Sequence, residues 1–457
     1  MKLIPFKKIG LTLAVIFLPA SIKAQNNEKQ EIVLTLNRAV EIALSESPTV
    51  KIAEKEIRKV DYAKKGAWYG LIPSLEATGQ AGKYVKSASM SMMGQIMDSP
   101  TDFTAQAGLQ LSLPLFAPSL WKTIQMTELD MQMAVEKAHA SKITLRSDVT
   151  KTYYDILLAQ DSYRTLQDGY SNAEEVYRTA KKRFDLGLNA EYDVISAEVQ
   201  MKNLQPNLLE VKNGIERSKL YLKLLMGIDA STQIALEGNL NEYENEIALT
   251  NSADNLSTYG NTDLKQLHIQ KLQLQKTLSL QKTQSMPKLA FYGNYTYAGT
   301  GNRATSINFG QMPIQVNASN EWYSQGLIVG LQLNVPITGI FTNTAKEKQI
   351  AIQIQQMDIQ RDNLISSIEL QIRTAVDNMN KSAKQVESAK KNEQLAQKGY
   401  AISSKRYEEG IGTVLELQNA SLALTQSQLS YNQAIASYLS AKTDLDKVLG
   451  SEIQITK

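Results

Sequence analysis

Cysteine is absent from all 457 residues, which excludes disulfides, thiolate metal sites and a lipidated N-terminal cysteine. Histidine is almost absent. His139 and His268 stand alone, with no second ligand at i+3 or i+4, so the sequence supports no histidine metal site. Charge of one sign is not in excess: the formal net charge of +3 is small for this length and implies no nucleic-acid or other polyanionic partner. No Gly-rich phosphate loop, nucleophile elbow or paired-histidine motif occurs, and helical seams offer no obvious cleft for two-carboxylate catalysis. Past the N-terminus there is no apolar run long enough for a transmembrane helix, so any membrane span must be β.

The chain starts with an export pattern. Lys2, Lys7 and Lys8 precede an apolar run from Ile9 to Ala20, about a dozen residues and too short to span a bilayer. Residues 1–24 therefore read as a signal peptide with cleavage at Ala24-Gln25, although Ile22 is larger than the usual residue at minus three.

The dominant signal is a duplicated heptad seam. Val194, Ala197, Met201, Leu204, Leu208, Val211, Ile215, Ser218, Leu222 and Leu225 are spaced alternately by 3 and 4, as in a coiled coil. Adding 223 to each gives Leu417, Ala420, Leu424, Ser427, Tyr431, Ala434, Tyr438, Ala441, Leu445 and Val448. The preceding turn repeats too, Arg183-Phe184-Asp185-Leu186-Gly187 against Arg406-Tyr407-Glu408-Glu409-Gly410. Ahead of the first turn, Trp121 to Phe184 has no proline and only Gly169 as a breaker, enough helix to reach roughly 96 Å at about 1.5 Å per residue. Pro206 should introduce a kink or hydrogen-bond defect, and Gly227 and Gly450 should cap the returning helices.

Four stretches alternate with period two. Leu75, Ala77, Gly79 and Ala81 form one apolar face, and Ala105, Ala107, Leu109, Leu111 and Leu113 a second. Their counterparts are Leu289, Phe291, Gly293, Tyr295 and Tyr297, then Leu327, Val329, Leu331, Leu333 and Val335. Strands of about ten residues with one apolar and one wet face suit a water-filled membrane barrel, though soluble hairpins laid on the helices would also alternate. Four strands cannot close a barrel. Three chains would supply twelve strands and a pore, whereas two would supply eight and a filled interior, so a trimer is favoured.

The expected organisation is a first repeat at 25–228, with a helix from Leu34 to Lys65, strands near 73–84 and 104–114, and a helical hairpin at 119–226. An irregular polar connector at 229–257 leads to a second repeat at 258–450, with a helix from Leu264 to Ser285, strands near 288–298 and 326–336, and a hairpin at 343–449. Residues 451–457 read as a tail. Met90, Met92, Met93 and Met97 crowd the first strand connection; thioethers are soft Cu(I) ligands, but a loop tip outside a barrel is the preferred reading. The sequon Asn294-Tyr295-Thr296 falls inside a strand and is discounted.

Taken together, the signal peptide, the two strand pairs and two long hairpins turning at Phe184-x-x-Gly187 and Tyr407-x-x-Gly410 resemble the TolC-type outer-membrane efflux channels over essentially the whole mature chain. The resemblance implies a mainly α protein with a membrane β-barrel: a homotrimer with a twelve-stranded barrel in outer-membrane lipid, continued by a coiled-coil barrel in the periplasm. It also implies a passive exit duct, not an enzyme and with no cofactor, fed by an inner-membrane transporter through a periplasmic adaptor, with cargo chosen largely by the transporter. The family's constriction falls on Glu416 and Asn419, the second of its two acids being replaced here by Asn419. Its latch positions fall on Asp193, Tyr407 and Gly412, where the family's best-known member has arginine in place of Gly412. Adaptor contact is expected at the tips, around Phe184, Gly187 and Gly410. The competing reading is a periplasmic coiled-coil tether without a pore.

Overall fold

A helix with one apolar seam must bury it against another helix, and here the turns make each long helix pack against its own return. The computed structural model describes residues 31–86, 89–92, 95–249, 258–309, 312–337 and 339–450. The expected signal peptide, the tail at 451–457 and Met93 lie outside the described residues.

In chain order the elements are β1 (Ile32–Leu34), α1 (Leu36–Glu46), α2 (Pro48–Tyr69), β2 (Ser74–Lys83), β3 (Ser89–Met92), β4 (Gln95–Asp98), β5 (Thr101–Phe116), α3 (Pro118–Asp185) and α4 (Glu191–Met226). They continue with β6 (Ile234–Leu236), α5 (Thr262–Thr283), β7 (Lys288–Asn302), β8 (Thr305–Phe309), β9 (Met312–Val316), β10 (Ser319–Asn334), α6 (Gly339–Glu408) and α7 (Val414–Leu449). Among the described residues no helix is long and apolar enough to cross a membrane.

α3 and α4 form one antiparallel hairpin and α6 and α7 the other, with α7 also packed on α3, so the four helices run α6–α7–α3–α4 across a wall. Every residue of both heptad seams is buried or half-buried, whereas Leu209, Leu220 and Leu224, off the seam, are exposed. Gly169 does not interrupt α3. It lets α7 come close, since a Cβ there would lie 3.0 Å from the Thr425 hydroxyl oxygen. α4 also runs on through Pro206.

β10, β7, β5 and β2 form one antiparallel sheet in that order, with β10 and β2 as its free edges. Residues opposite one another share a face, so Leu327, Tyr295, Leu109 and Ala77 make one row. Ile328, Asn294, Gln110 and Glu76 make a row on the other. A bulge between Ser324 and Gly326 places Gly326 at φ +91°, a backbone state that favours glycine. The extra residue reverses the parity of β10 and returns Trp322 to the apolar face, opposite Gly299 and stacked on Tyr297 at 6.1 Å. A Cβ at position 299 would meet the Trp322 ring at 2.5 Å, so glycine makes the space the indole fills.

Several expectations need correction. The single helix from Leu34 to Lys65 is two, because Pro48 opens α2 and Ser47 separates it from α1; α2 then runs past Gly66 to Tyr69. The strands are longer than their alternating cores: β5 and β10 have 16 residues each and β7 has 15. The first strand connection is not an irregular loop, since β3 and β4 pair there, as β8 and β9 do in the second. Nor is the connector irregular throughout: β6 pairs in parallel with β1, and a 3-10 turn covers Leu240–Glu246.

These pieces form a waist around the hairpin bases. The Tyr153 hydroxyl of α3 lies 2.6 Å from the Glu237 carbonyl and 3.1 Å from that of Leu34, tying β6 and β1 to the same helix. Tyr243 of the 3-10 turn meets Tyr154 edge-on at 5.2 Å, and Lys442 of α7 pairs with Glu246 at 2.8 Å. The returning helices dock here too. Gly227 (φ +71°) and Gly450 (φ +64°) end α4 and α7 in left-handed caps. A Cβ on Gly227 would meet the Glu46 carbonyl at 2.6 Å, and one on Gly450 the Gly260 carbonyl at 2.2 Å. Each hairpin thus closes against the start of the helix, α2 or α5, that leads to its strands.

Candidate functional site at the hairpin tips

Both turns are built the same way. In the first, Gly187 adopts φ +73° and the Leu188 N–H donates to the Arg183 carbonyl at 2.8 Å. In the second, Gly410 adopts φ +80° and the Ile411 N–H donates to the Arg406 carbonyl at 3.0 Å. Both are bonds from the residue five positions on, which satisfy carbonyls left over at a helix end. Gly187 and Gly410 sit at the tips, as does Phe184, which is 41% exposed.

The helices leave the turns differently. α4 begins after Ala190 with no side-chain cap, although Glu191 and Asp193 place negative charge in its first turn. α7 begins with a capping box: the Glu416 N–H donates to the Thr413 hydroxyl at 3.1 Å, and the Thr413 N–H to the Glu416 carboxylate at 3.4 Å. Glu416 and Asn419 are three residues apart and both exposed, so they share one accessible face of α7.

Tyr407 is only 3% exposed and belongs to a tip core with Val176, Ala180, Ala197, Val414 and Leu417. Arg183 of the other hairpin lies over its ring, guanidinium carbon to ring centre 4.6 Å, and donates through Nη2 to the Glu408 carbonyl at 3.0 Å. Among the described residues no hydrogen bond of ordinary geometry reaches the buried Tyr407 hydroxyl, though the Asn189 side chain lies beside it. Burial pushes the phenol above its ordinary value, Asn189 and Arg183 oppose the rise, and the Asp193 carboxylate adds to it. A further link joins the hairpins, the Ser196 hydroxyl donating to Gln418 at 3.2 Å.

The Asp193 carboxylate thus acts on the buried Tyr407 phenol through its charge, Glu416 and Asn419 are exposed near the start of α7, and Gly412 packs under Arg406. Arg183 and Arg406 were missing from the sequence-based set. The duplication was the available signal, because it aligns Arg183 with Arg406 and Asp193 with Glu416 at the same shift of 223. Among the described residues no group of acidic and histidine side chains is placed to hold a metal ion.

The sequence matches the family described as outer membrane efflux protein over residues 39–228 and 256–451, one segment in each repeat. It is 20% identical to outer membrane protein TolC of Vibrio cholerae over 347 residues, 76% of either chain. Nodulation protein T of Rhizobium leguminosarum bv. trifolii is 19% identical, covering 91% of this chain and 85% of its own. The fold is shared with the CmeC outer membrane channel of Campylobacter jejuni, with a TM-score of 0.70, 17% identity, and 91% and 85% of the two chains covered. It is also shared with outer membrane protein VceC of Vibrio cholerae, with a TM-score of 0.69, 16% identity, and 91% and 96% covered. Because the family match spans both repeats and most of the chain, this protein belongs to the outer membrane efflux proteins of the TolC type and resides in the outer membrane.

Proposed function

We propose that three copies of this chain form the outer-membrane exit duct of a tripartite efflux or type I secretion system. The observation that carries the trimer is the four-stranded sheet with an apolar face and two free edges, β2 and β10. Lipid cannot hydrogen-bond the open N–H and C=O groups of those edges. Setting β2 of one copy beside β10 of the next removes them all, and three copies give a twelve-stranded barrel wide enough for a pore. The helical wall then continues the pore into the periplasm. The duct is passive and performs no catalysis.

In this reading Glu416 and Asn419 line the narrowest point, while Asp193, Tyr407 and Gly412 belong to the latch that holds the tips shut. A periplasmic adaptor, touching the tips around Phe184, Gly187 and Gly410, and an inner-membrane transporter open it. Residues 1–24 direct export, and 25–228 and 258–450 are the two repeats flanking a waist connector. A poreless tether accounts less well for a sheet with one continuous apolar face.

Mass measurement of the unheated, detergent-solubilised protein tests the assembly. A species three times the chain mass is expected. A stable monomer would overturn the barrel, and a dimer would overturn the count of three.

A further inference from the structure

Gly412 and Arg406 are physically coupled. A Cβ at position 412 would lie 3.1 Å from the Arg406 Cβ and 3.0 Å from the Tyr407 backbone nitrogen. Glycine is what lets the turn close tightly over the last turn of α6. There the Gly412 N–H donates to the Arg406 carbonyl at 2.9 Å. The closure brings the Arg406 guanidinium to Glu416, Nη2 to Oε2, at 3.8 Å. That same oxygen is the one held by the capping box on Thr413. Glu416 therefore has a fixed position, and a cation stands beside it.

We infer that Arg406 sets the ion selectivity of the channel by neutralising Glu416 from within its own hairpin, so that the mouth carries three ion pairs and not three bare carboxylates. This rests on the reading of Glu416 as a constriction residue. The two side chains are each 50% exposed, and such a pair adds little to stability. Its effect is on the field. Their 3.8 Å separation is well inside the Debye length of about 8 Å at physiological salt, so a passing ion meets a dipole in place of a net charge. Asn419 adds no charge one turn further on.

The duplication sharpens the point. Arg183 and Asp193 are the counterparts of Arg406 and Glu416, yet Arg183 is spent across the hairpins on Tyr407 and the Glu408 carbonyl. In the second copy the arginine stays with the acid of its own turn. One copy uses its guanidinium to hold two hairpins together, and the other uses it to balance charge.

The test is the reversal potential of the purified full-length protein in planar bilayers under a tenfold KCl gradient. The wild type is expected to discriminate weakly. Arg406→Gln should raise the potassium-to-chloride permeability ratio several-fold, and Glu416→Gln should shift it toward chloride. The double variant should return near the wild-type ratio, and Arg406→Lys, which keeps the charge, should stay there. A shift in Glu416→Gln with none in Arg406→Gln would overturn the role of Arg406. No shift in either would instead remove Glu416 from the constriction and defeat the reading on which the inference rests.

Discussion

Arg183 reaches across the hairpins with a flat cation over a flat ring, a contact that keeps its value only while Tyr407 stays buried. Removing the guanidinium gives up both the ring contact, worth about 0.5–2 kcal/mol, and a charged hydrogen bond to the Glu408 carbonyl. Removing the Tyr407 hydroxyl gives up no ordinary hydrogen bond. Arg183→Ala is therefore expected to raise the time the channel spends open in planar bilayers, and Tyr407→Phe to change it much less. The opposite order would mean that the phenol oxygen, through Asn189 or Asp193, is what holds the tips. The residues of this site were half legible in the sequence. Glu416, Tyr407 and the turn glycines follow from the resemblance and the duplication. The partner of Arg183 was not legible, because which side chain meets Tyr407 depends on how two hairpins align across the wall; that of Arg406 depends on how tightly its own turn closes at Gly412.

At the level of elements, alternation in the sequence marks the middle of each long strand and not its irregular ends. The expected strand at 104–114 stops short of both irregularities in the pairing of β5 with β7, between Thr101 and Phe103 and between Pro114 and Phe116. The expected start at 326 falls just after the bulge that reverses β10. A pattern of period two has no way to step across an inserted residue, so each strand ended where its phase did. In β7 the alternation fades at Gly299 and Gly301, which have no side chain to mark a face. The faces themselves lead to a direct comparison. In the proposed barrel, Leu331→Lys and Leu109→Lys would put a cation toward lipid at a cost of roughly 2–4 kcal/mol near mid-depth, while Gln332→Lys and Gln110→Lys would place it toward water. The leucine variants should give clearly less assembled outer-membrane protein than the glutamine variants, measured by heat-modifiable mobility on gels. Equal yields would refute the assignment of faces.

For the whole molecule, the waist was the least legible part. Three-residue strands such as β1 and β6 carry no periodicity to detect, and they exist because Tyr153 and the surrounding core hold them. Tyr153→Phe keeps the ring and removes the donor 2.6 Å from the Glu237 carbonyl. The Leu34 carbonyl still accepts from the Glu237 N–H at 3.0 Å, so only the part-buried Glu237 carbonyl loses its donor. The expected loss is about 0.5–1.5 kcal/mol. It should appear as earlier protease cleavage in the connector, with the barrel intact; unchanged cleavage would show that the core alone holds the waist.

The docking of Gly227 and Gly450 at this waist has a mechanical consequence. With its base seated there, each returning helix is a lever whose fulcrum is a glycine-tight contact. α4 and α7 have 36 residues each, an arm of roughly 54 Å. Tilting such an arm by about 10° swings its end by about 9 Å, while atoms about 5 Å from the fulcrum travel only about 1 Å. In the proposed duct, a gate driven from the tips would therefore open widely with little disturbance at the waist, and the strands beyond it would keep their register.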